Sequence, residues 1–459
     1  MNLNSFIPKD YIERDLEKTI FDFLDNREII VVRGPRQSGK TTLLAKIAMS
    51  LQKKSPTAHF EFVNLEDELE KQKIEKNPKQ YLEFYLRDKD EAPPSLRTGY
   101  LLRSLRRERN PAEAENASHS STISRSWFSA KADKLFFFID EAQYIKNGGQ
   151  VLKLLYDTYP QVKFVISGSS TLDLAQLGAY LVGRALFFEL YPLSFAEVMR
   201  SKDKRLYQEY QARKFSFQKP GLADSLFKIE LSNFLKQYLT FGGYPAVVKE
   251  NEEGKKKVLL NNIFTTYIEK DISRLYGIKD KEKVLLVLKY LAETSGSVVN
   301  FNDLGQFASV YFKELKSILS ILEQTYVVGK INPFHRNLVT ELKKNPKYYF
   351  FDLGLRNALL HKFDFDDIEL GQLLENYTFL VLKHEPLAFW RTTAKAEVDF
   401  VLKEKIIPVD VKKTPKISRS LLSFLDAYDP SLSLIVNWQE AGVISKKKTK
   451  IYSVPACLL

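Results

Sequence analysis

The stretch Gly34-Pro35-Arg36-Gln37-Ser38-Gly39-Lys40-Thr41 matches the pattern G-x-x-x-x-G-K-[ST]. The apolar run Ile29–Val32 precedes it and the helix-forming run Thr42–Leu51 follows it. Glycines let the backbone N–H groups of such a loop curl around a phosphate, and the next helix directs its positive end to the same place. The sequence therefore predicts a phosphate-binding loop between a strand and a helix.

Two side chains of this loop have distinct predicted tasks. Lys40 is expected to reach the β- and γ-phosphates of ATP, and the Thr41 hydroxyl is expected to ligate Mg²⁺. The predicted cofactors are therefore ATP and Mg²⁺. The alternative, a glycine turn without a ligand, leaves the matching strand and helix unexplained. The predicted nucleotide-binding residues are Gly34, Pro35, Arg36, Gln37, Ser38, Gly39, Lys40, Thr41 and Thr42.

An acidic pair, Asp140 and Glu141, follows the apolar run at 135–139. Two acids at the end of a buried strand are costly unless they have a task. Asp140 is predicted to hold the Mg²⁺ shell, and Glu141 to orient and deprotonate an attacking water. This pair favours ATP hydrolysis over phosphorylation of a small molecule. The alternative is a helix cap that follows a core strand.

Short apolar runs alternate with helical patterns in the first part of the chain. Such runs are typical of a parallel sheet that is covered on both faces, so we expect an α/β P-loop domain over residues 1–200. Residues 88–132 are rich in Ser, Arg, Glu and Pro, and we interpret them as a partly disordered insertion. The predicted strands are 28–33, 59–64, 135–140, 163–167 and 185–190.

Two further polar positions are candidates for the nucleotide site. Ser169 or Ser170, after the fourth predicted strand, would lie near the γ-phosphate, or would instead cap a helix. Arg184 precedes the fifth predicted strand, and we predict that it stabilises transition-state charge in its own chain or in a neighbouring subunit. The second route would require a homo-oligomer. The alternative for Arg184 is a surface arginine.

The middle of the chain changes character. Residues 201–280 have helical patterns and are predicted to form a helical domain. Residues 281–355 then contain three helical patterns followed by two apolar strands, the order of a winged helix-turn-helix. The predicted helices are 282–294, 302–307 and 311–322, and the predicted strands are 326–331 and 348–352.

The remaining residues, 356–459, are predicted to form a small α/β domain with an acidic hairpin. A hairpin centred on Glu404 and Lys405 places Asp399 opposite Asp410, with Lys412 on the same face. Opposed carboxylates repel, and a divalent metal would relieve this repulsion. Glu375 adds a carboxylate, so the predicted metal ligands here are Glu375, Asp399 and Asp410. The alternative is a half-buried hairpin with a solvated face.

Five motifs that follow one another along the chain resemble those of a large prokaryotic family of AAA-type ATPases with a restriction-endonuclease-like C-terminal domain. The resemblance implies that Arg184 senses nucleotide and that the winged helix is present. Glu375, Asp399 and Asp410-Val411-Lys412 resemble the PD-(D/E)XK nuclease arrangement, with Asp410 where Glu is more usual. Asp399, Asp410 and Lys412 are thereby candidate catalytic residues. The motifs are RGPRQSGKTTLL, FFFIDEAQ, VISGSS, LVGRALFFELYPLSFAEVM and FGGYPAVV.

Composition narrows the function classes. The net charge of +12 favours nucleic acid as a partner, although a lysine-rich solvated surface explains it equally. A single cysteine, Cys457, excludes a disulfide framework and suits the cytoplasm. No apolar stretch is long enough for a membrane span. We expect an ATP hydrolase that acts on or with DNA. The alternative is an ATP-gated switch that binds a protein partner and has an inert C-terminal domain.

Overall fold

The computed structural model describes residues 6–54, 58–86, 135–168, 179–269, 272, 280–334 and 344–459. The predicted insertion at 88–132 and the candidates Ser169 and Ser170 lie outside these ranges. Within the described ranges, no helix combines the length and the apolar character needed to cross a membrane.

The amino-terminal sheet has five parallel strands in the order β2-β3-β4-β1-β5. All five predicted strands are confirmed, and β3 is buried along its whole length, as its continuous apolar run requires. Alternate residues of the strands feed two separate apolar clusters, so helices pack on both faces. The strands are β1 (Ile29–Arg33), β2 (His59–Asn64), β3 (Leu135–Asp140), β4 (Val162–Gly168) and β5 (Ala185–Glu189).

The helices of the amino-terminal part cover both faces of its sheet. One apolar cluster packs α1 and α2 on one face of the sheet, and the other packs α3, α4 and α5 on the opposite face. These helices are α1 (Asp15–Asp22), α2 (Lys40–Lys54), α3 (Glu68–Lys76), α4 (Pro78–Leu86) and α5 (Gly148–Thr158).

A helical region follows the sheet. Three helices and a β-hairpin then appear in the predicted order, and an isolated bridge joins Val298 to Lys347 beside the hairpin. The first helices are α6 (Phe195–Lys202), α7 (Lys204–Arg213), α8 (Lys228–Phe241), α9 (Pro245–Lys249) and α10 (Glu253–Thr266). The three-helix unit comprises α11 (Lys281–Glu293), α12 (Phe301–Phe307), α13 (Phe312–Gln324), β6 (Val328–Ile331) and β7 (Lys347–Phe350).

The carboxyl-terminal part is a mixed sheet in the order β12-β13-β11-β10-β9-β8. Strands β9 and β10 pair antiparallel through Leu402 with Ile407 and Phe400 with Val409, which is the predicted hairpin register. The elements are α14 (Leu353–Leu360), α15 (Asp367–Leu382), β8 (Leu387–Arg391), β9 (Glu397–Leu402), β10 (Ile407–Val411), α16 (Arg419–Tyr428), β11 (Leu432–Asn437), β12 (Gly442–Lys446) and β13 (Thr449–Pro455).

The helical segment 201–280 is divided between two apolar clusters. Its first part, up to Leu239, packs with the carboxyl-terminal sheet, and Tyr210 donates a hydrogen bond to the Leu459 carbonyl at 3.0 Å. Most of its later part, from Phe241 onward, packs with α11, α12 and α13, whereas Val248 belongs to the first cluster. The helices predicted as a separate domain therefore pack partly with the carboxyl-terminal sheet and partly with the three-helix unit.

Candidate functional site

The loop between β1 and α2 has a shape that depends on glycine. A Cβ at Gly34 would lie 2.1 Å from the Leu190 carbonyl oxygen, in a conformation with φ of +157°. Gln37 and Gly39 also have positive φ values, 61° and 95°. These residues turn the chain sharply before α2 begins at Lys40. The loop is thereby wrapped around the amino end of α2, where a helix attracts anions.

Lys40 and Thr41 direct their side chains to different parts of this loop. The Lys40 ammonium donates hydrogen bonds to the carbonyl oxygens of Gly34 at 3.0 Å and Pro35 at 2.9 Å. The Thr41 hydroxyl donates to Asp140 Oδ2 at 2.6 Å. The two side chains predicted to hold Mg²⁺ are therefore in direct contact.

Asp140 is at the carboxyl end of β3 and is almost completely buried. Its second oxygen accepts a hydrogen bond from the Ser167 hydroxyl. Burial, together with the neighbouring charge of Glu141, raises the pKa of Asp140. A bound cation would favour the ionised carboxylate, which is the form that ligates metal.

Glu141 follows in a left-handed backbone conformation, with φ of 56°. This conformation is uncommon for a residue with a side chain and is found at functional sites. Its carboxylate accepts a hydrogen bond from the Gln143 amide, and its own N–H donates to Ser167 Oγ at 3.4 Å. An ammonium, a hydroxyl and two carboxylates thus meet at a helix amino end, a donor set that fits ATP with Mg²⁺.

Ser167, which the sequence reasoning passed over, touches both acids. Ser167 lies inside β4, whereas the predicted site residues Ser169 and Ser170 follow the strand. The signal was available, because the carboxyl end of a strand beside β3 must lie near Asp140.

Arg184 lies at the other end of the sheet. Its carbonyl accepts from the Ile29 N–H at the start of β1, whereas the loop follows the end of β1. Five residues of strand separate the two ends by about 16 Å. The guanidinium pairs with Asp157 at 2.9 Å. This position corrects the expectation that Arg184 acts within its own chain, and its action in a neighbouring subunit stays a prediction.

Arg14 is a second residue that sequence reasoning missed. Its buried guanidinium donates to the Ser38 carbonyl at 2.8 Å and to the Tyr191 carbonyl at 2.6 Å, and pairs with Glu197 at 3.1 Å. Arg14 therefore ties the loop to the segment after β5. The sequence around Arg14 has no pattern that predicts its contact with the loop, because its partners are distant in sequence.

A second connection leaves the loop through Arg33, which immediately precedes it. Arg33 pairs with Glu189 at 3.0 Å, and Glu189 accepts a hydrogen bond from the Tyr191 hydroxyl at 2.6 Å. The Tyr191 ring stacks on Phe351, with centroids 4.7 Å apart. Phe351 follows β7, so the nucleotide loop is linked to the hairpin that β6 and β7 form.

The FGGYP segment, 241–245, supports the same junction. The Gly243 N–H donates to Asp352 Oδ2 at 2.7 Å, and the Leu193 N–H donates to the Gly243 carbonyl at 2.7 Å. Burial raises the pKa of Asp352 to about 7, although its backbone N–H donors favour the charged form. Asp352 thus fastens the helical region to the hairpin.

A second cluster of charges lies in the carboxyl-terminal sheet. The Lys412 ammonium is 2.8 Å from Asp410 Oδ1 and 3.5 Å from Asp399 Oδ2. The hairpin therefore brings these three side chains to one face of the sheet. Burial, and then the charge of Asp399, raises the pKa of Asp410 to about 7.

Glu375, from α15, joins the same cluster through a lysine that the sequence reasoning did not include. The Lys347 ammonium lies 3.1 Å from Glu375, 2.7 Å from Glu397 and 3.9 Å from Asp399. Burial by itself lowers the pKa of Lys347, but these three carboxylates outweigh it and raise that pKa. A buried ammonium thus lies beside Glu375 and Asp399, two of the three carboxylates that were expected to ligate a metal.

The expected metal site at Glu375, Asp399 and Asp410 differs from the observed arrangement for this reason. Among the described residues, no group of three or more His, Cys, Asp or Glu side chains is arranged to hold a metal ion. The carboxylates are near one another, but lysine ammonium groups lie between them.

Comparison with protein families divides the chain into three. Residues 26–102 and 95–199 match the model of an AAA domain. Residues 232–366 and 370–457 match two domains of unknown function, DUF8612 and DUF4143. The family boundary near 370 falls at the start of α15.

Relatives of similar sequence occur in bacteria and archaea. An uncharacterized protein of Haemophilus influenzae is 27% identical over 256 residues, covering 54% of this chain and 58% of that protein. An uncharacterized protein of Methanocaldococcus jannaschii is 25% identical over 323 residues, covering 66% of this chain and 67% of the other. The chain thus spans about three fifths to two thirds of the length of these relatives.

Among solved structures, the Aeropyrum pernix ORC1 protein in complex with DNA aligns with 77% of this chain and 94% of its own. The sequence identity is 12% and the TM-score is 0.31.

Proposed function

We propose, from the match of residues 26–102 and 95–199 to the model of an AAA domain, that this protein binds ATP with Mg²⁺ and hydrolyses it. The observation that carries the proposal is the meeting of Lys40, Thr41, Asp140 and Glu141 at one edge of the parallel sheet. Lys40 and Thr41 are the first residues of α2, and Asp140 and Glu141 lie at the carboxyl end of β3. The loop glycines let the backbone wrap around the amino end of α2, where a phosphate would bind.

Each side chain has a task in this mechanism. Lys40 would turn from its loop carbonyl partners to phosphate oxygens, and Thr41 and Asp140 would hold the metal. Mg²⁺, when bound, neutralises charge on the β- and γ-phosphates. Glu141 accepts a proton from the attacking water, and Gln143 orients its carboxylate.

Arg184 is proposed to act in a second copy of the chain. It lies at the amino edge of the sheet, too far from its own loop to reach a phosphate. Its side chain is partly exposed, pairs with Asp157 and donates a hydrogen bond to the Val182 carbonyl. A homo-oligomer that apposes this edge to the loop of the next copy would supply the arginine in trans.

We further propose that the three-helix unit is a winged helix that contacts DNA through α13. The solvent-facing positions of α13 and its amino flank include Tyr311, Lys313, Lys316 and Ser317, and Tyr311 is 87% exposed. Cations and hydroxyl groups on one helix face suit phosphate and base-edge contacts. The net charge of +12 acts in the same direction.

A protein partner is the second candidate, and one observation favours it. Phe307 and Phe312 are also exposed beside Tyr311, at 53% and 54%. Exposed aromatic side chains of this kind anchor protein interfaces as well as bases. In that case ATP turnover would gate a protein contact, and the carboxyl-terminal domain would be inert.

Nuclease activity by Asp399, Asp410 and Lys412 is a separate hypothesis. Their proximity supports it, and the intervening ammonium of Lys347 opposes it. Cleavage of a plasmid by the wild type, lost in Asp410→Ala and retained in Glu141→Gln, would be needed to sustain it.

The deciding experiment measures ATP turnover with Mg²⁺, with and without double-stranded DNA, for the wild type and Glu141→Gln. We expect turnover that DNA stimulates, and a loss of at least about 100-fold in the variant with ATP binding retained. ATP turnover that is unchanged by DNA would favour the alternative, an ATP-gated switch that binds a protein partner. A variant as active as the wild type would remove Glu141 from the mechanism.

A surface control separates the DNA contact from general charge. Lys313→Gln with Lys316→Gln should lower the salt dependence of DNA binding by about two phosphate contacts. Lys447→Gln with Lys448→Gln removes the same charge from the loop between β12 and β13, far from α13 in sequence, and should change it less. Equal effects of the two pairs would contradict a specific role of α13.

A further inference from the structure

We propose that the carboxylate cluster of the carboxyl-terminal domain is closed by Lys347 in place of a divalent cation. The carboxylate cluster comprises Glu375, Glu397, Asp399 and Asp410. Lys347 belongs to β7 of the hairpin, outside the carboxyl-terminal sheet. The cluster is therefore an ionic clamp between two parts of the chain, independent of metal.

The placement of Lys347 is the first support. Lys347 is 0% exposed, and its ammonium lies within 3.9 Å of Glu375, Glu397 and Asp399. A buried ammonium is stable only when it is paired and hydrogen-bonded. The carboxylates thus stabilise the buried charge of Lys347, and Lys347 reduces the repulsion between the carboxylates.

The oxygens of Asp399 and Asp410 also have partners. Asp410 accepts hydrogen bonds from Lys412 and from the Ser418 hydroxyl at 3.0 Å, and Asp399 accepts one from the Val411 N–H at 2.8 Å. A metal needs several oxygens whose lone pairs are directed to one point. Here those lone pairs are directed to fixed donors.

The outer carboxylates are balanced in the same way. Glu397 pairs with Arg391 at 3.3 Å, and the Tyr349 hydroxyl donates to Glu375 at 2.7 Å. Four carboxylates therefore face three cationic side chains, Lys347, Lys412 and Arg391. A divalent ion entering this cluster would lie a few ångströms from a buried ammonium, and like charges at that separation repel strongly.

The clamp has a structural consequence. Lys347 pairs with Ile331 in the hairpin and bridges Val298 before α12, while its side chain reaches α15 and β9. Lys347 thus adds an ionic contact to a junction between the three-helix unit and the carboxyl-terminal sheet that Tyr349 and Asn376 also cross. If the β6–β7 hairpin moved away from the carboxyl-terminal sheet, the charges of Lys347 and its carboxylate partners would have to be exposed or neutralised.

The test is Mn²⁺ binding and thermal unfolding of the full chain, with Asp140→Asn in every sample to remove the loop site. With Lys347 intact we expect no Mn²⁺ bound at the cluster by calorimetry. Lys347→Met should lower the melting temperature by on the order of 10 °C, and Mn²⁺ should recover part of this loss.

Lys163→Met is the matched control. Lys163 is equally buried, but its ammonium bonds the carbonyl oxygens of Phe23, Asn26 and Glu28 at 2.6–3.0 Å. Its removal should also destabilise the chain, without recovery by Mn²⁺, because no carboxylate cluster is uncovered.

Two results would overturn the proposal. The first is Mn²⁺ binding by the chain with Lys347 intact that Asp410→Asn abolishes, and this measurement stands even where Lys347→Met fails to fold. The second is a Lys347→Met chain whose melting temperature equals that of its parent, which would show that Lys347 clamps nothing.

Discussion

Replacing Arg14 by Met tests whether the phosphate-binding loop is held in shape from outside. Methionine preserves most of the apolar stem and removes the guanidinium. Three contacts are lost: the ion pair to Glu197 at 3.1 Å and hydrogen bonds to the carbonyls of Ser38 at 2.8 Å and Tyr191 at 2.6 Å. Glu197 and the Ser38 carbonyl are left in buried positions without this donor, and the Tyr191 carbonyl in a partly buried one.

The expected cost follows from what the partners retain. Glu197 still accepts from the backbone N–H groups of Ser194 at 2.9 Å and Asp15 at 2.8 Å, so its charge keeps two donors. We therefore expect a loss of about 3 kcal/mol in the free energy of unfolding, at the lower end for a broken buried pair. The released Ser38 carbonyl should weaken ATP binding by about 1.4 kcal/mol, or roughly tenfold.

The assays are urea unfolding followed by circular dichroism and titration with a fluorescent ATP analogue. Arg200→Met is the matched control, because Arg200 bonds Asp15 at 2.5 Å on a partly exposed surface and does not touch the loop. It should cost less than about 1 kcal/mol and leave ATP affinity unchanged. If Arg14→Met binds ATP as tightly as Arg200→Met, the loop holds its shape without Arg14 and the reasoning is refuted.

Three further predictions concern the junctions and the distant arginine. The folded chain keeps the Asp352 proton up to about pH 7, whereas the unfolded chain loses it near 3.8, so stability should fall by up to about 4 kcal/mol as pH rises through this window. Asp352→Asn should lack that slope in urea unfolding from about pH 5 to about pH 8, and equal slopes would contradict the assignment. Gly243→Ala brings a Cβ to 2.0 Å from the Leu193 carbonyl oxygen and should cost about 3 kcal/mol or more, whereas Gly371→Ala, with open space around it, should cost nothing measurable; equal melting temperatures would argue against this packing. Arg184→Ala should keep ATP affinity and lose turnover, and mixing it with Lys40→Ala should restore part of the turnover; no recovery on mixing would count against action in trans.

Local periodicity was sufficient for the elements and for part of the register. Continuous apolar runs such as 135–139 predicted the parallel strands, because burial on both faces leaves no alternation. The hairpin register followed from the alternation on either side of Glu404 and Lys405, because a slip by one residue would move every apolar side chain to the wrong face.

Contacts between distant elements were beyond that reasoning. Alternation predicted that Asp399 and Asp410 share a face, but not that β7 inserts Lys347 among them. The bond from Arg14 to Glu197 spans 183 residues, and no spacing rule connects them. For Arg184 the information was present but unused. A residue that precedes a parallel strand lies at the amino edge of the sheet, whereas the loop lies at the carboxyl edge.

Tyr191 joins the two connections that leave the nucleotide loop. Its carbonyl accepts from Arg14, which bonds the loop at Ser38, and its hydroxyl bonds Glu189, the partner of Arg33 at the loop's start. Both ends of the loop are therefore tied to one residue.

The ring of Tyr191 lies on the other side of this junction. It stacks on Phe351 after β7, and the Lys383 ammonium at the end of α15 lies 4.8 Å from its centre. Close-packed interfaces do not deform smoothly, so a shift of the loop must either be resisted at Tyr191 or move the ring. If it moves the ring, Phe351 and Lys383 move with it, and these residues lead to the hairpin and to α15. A nucleotide-dependent change would thereby reach both ends of the Lys347 clamp, because β7 carries the lysine and α15 carries Glu375.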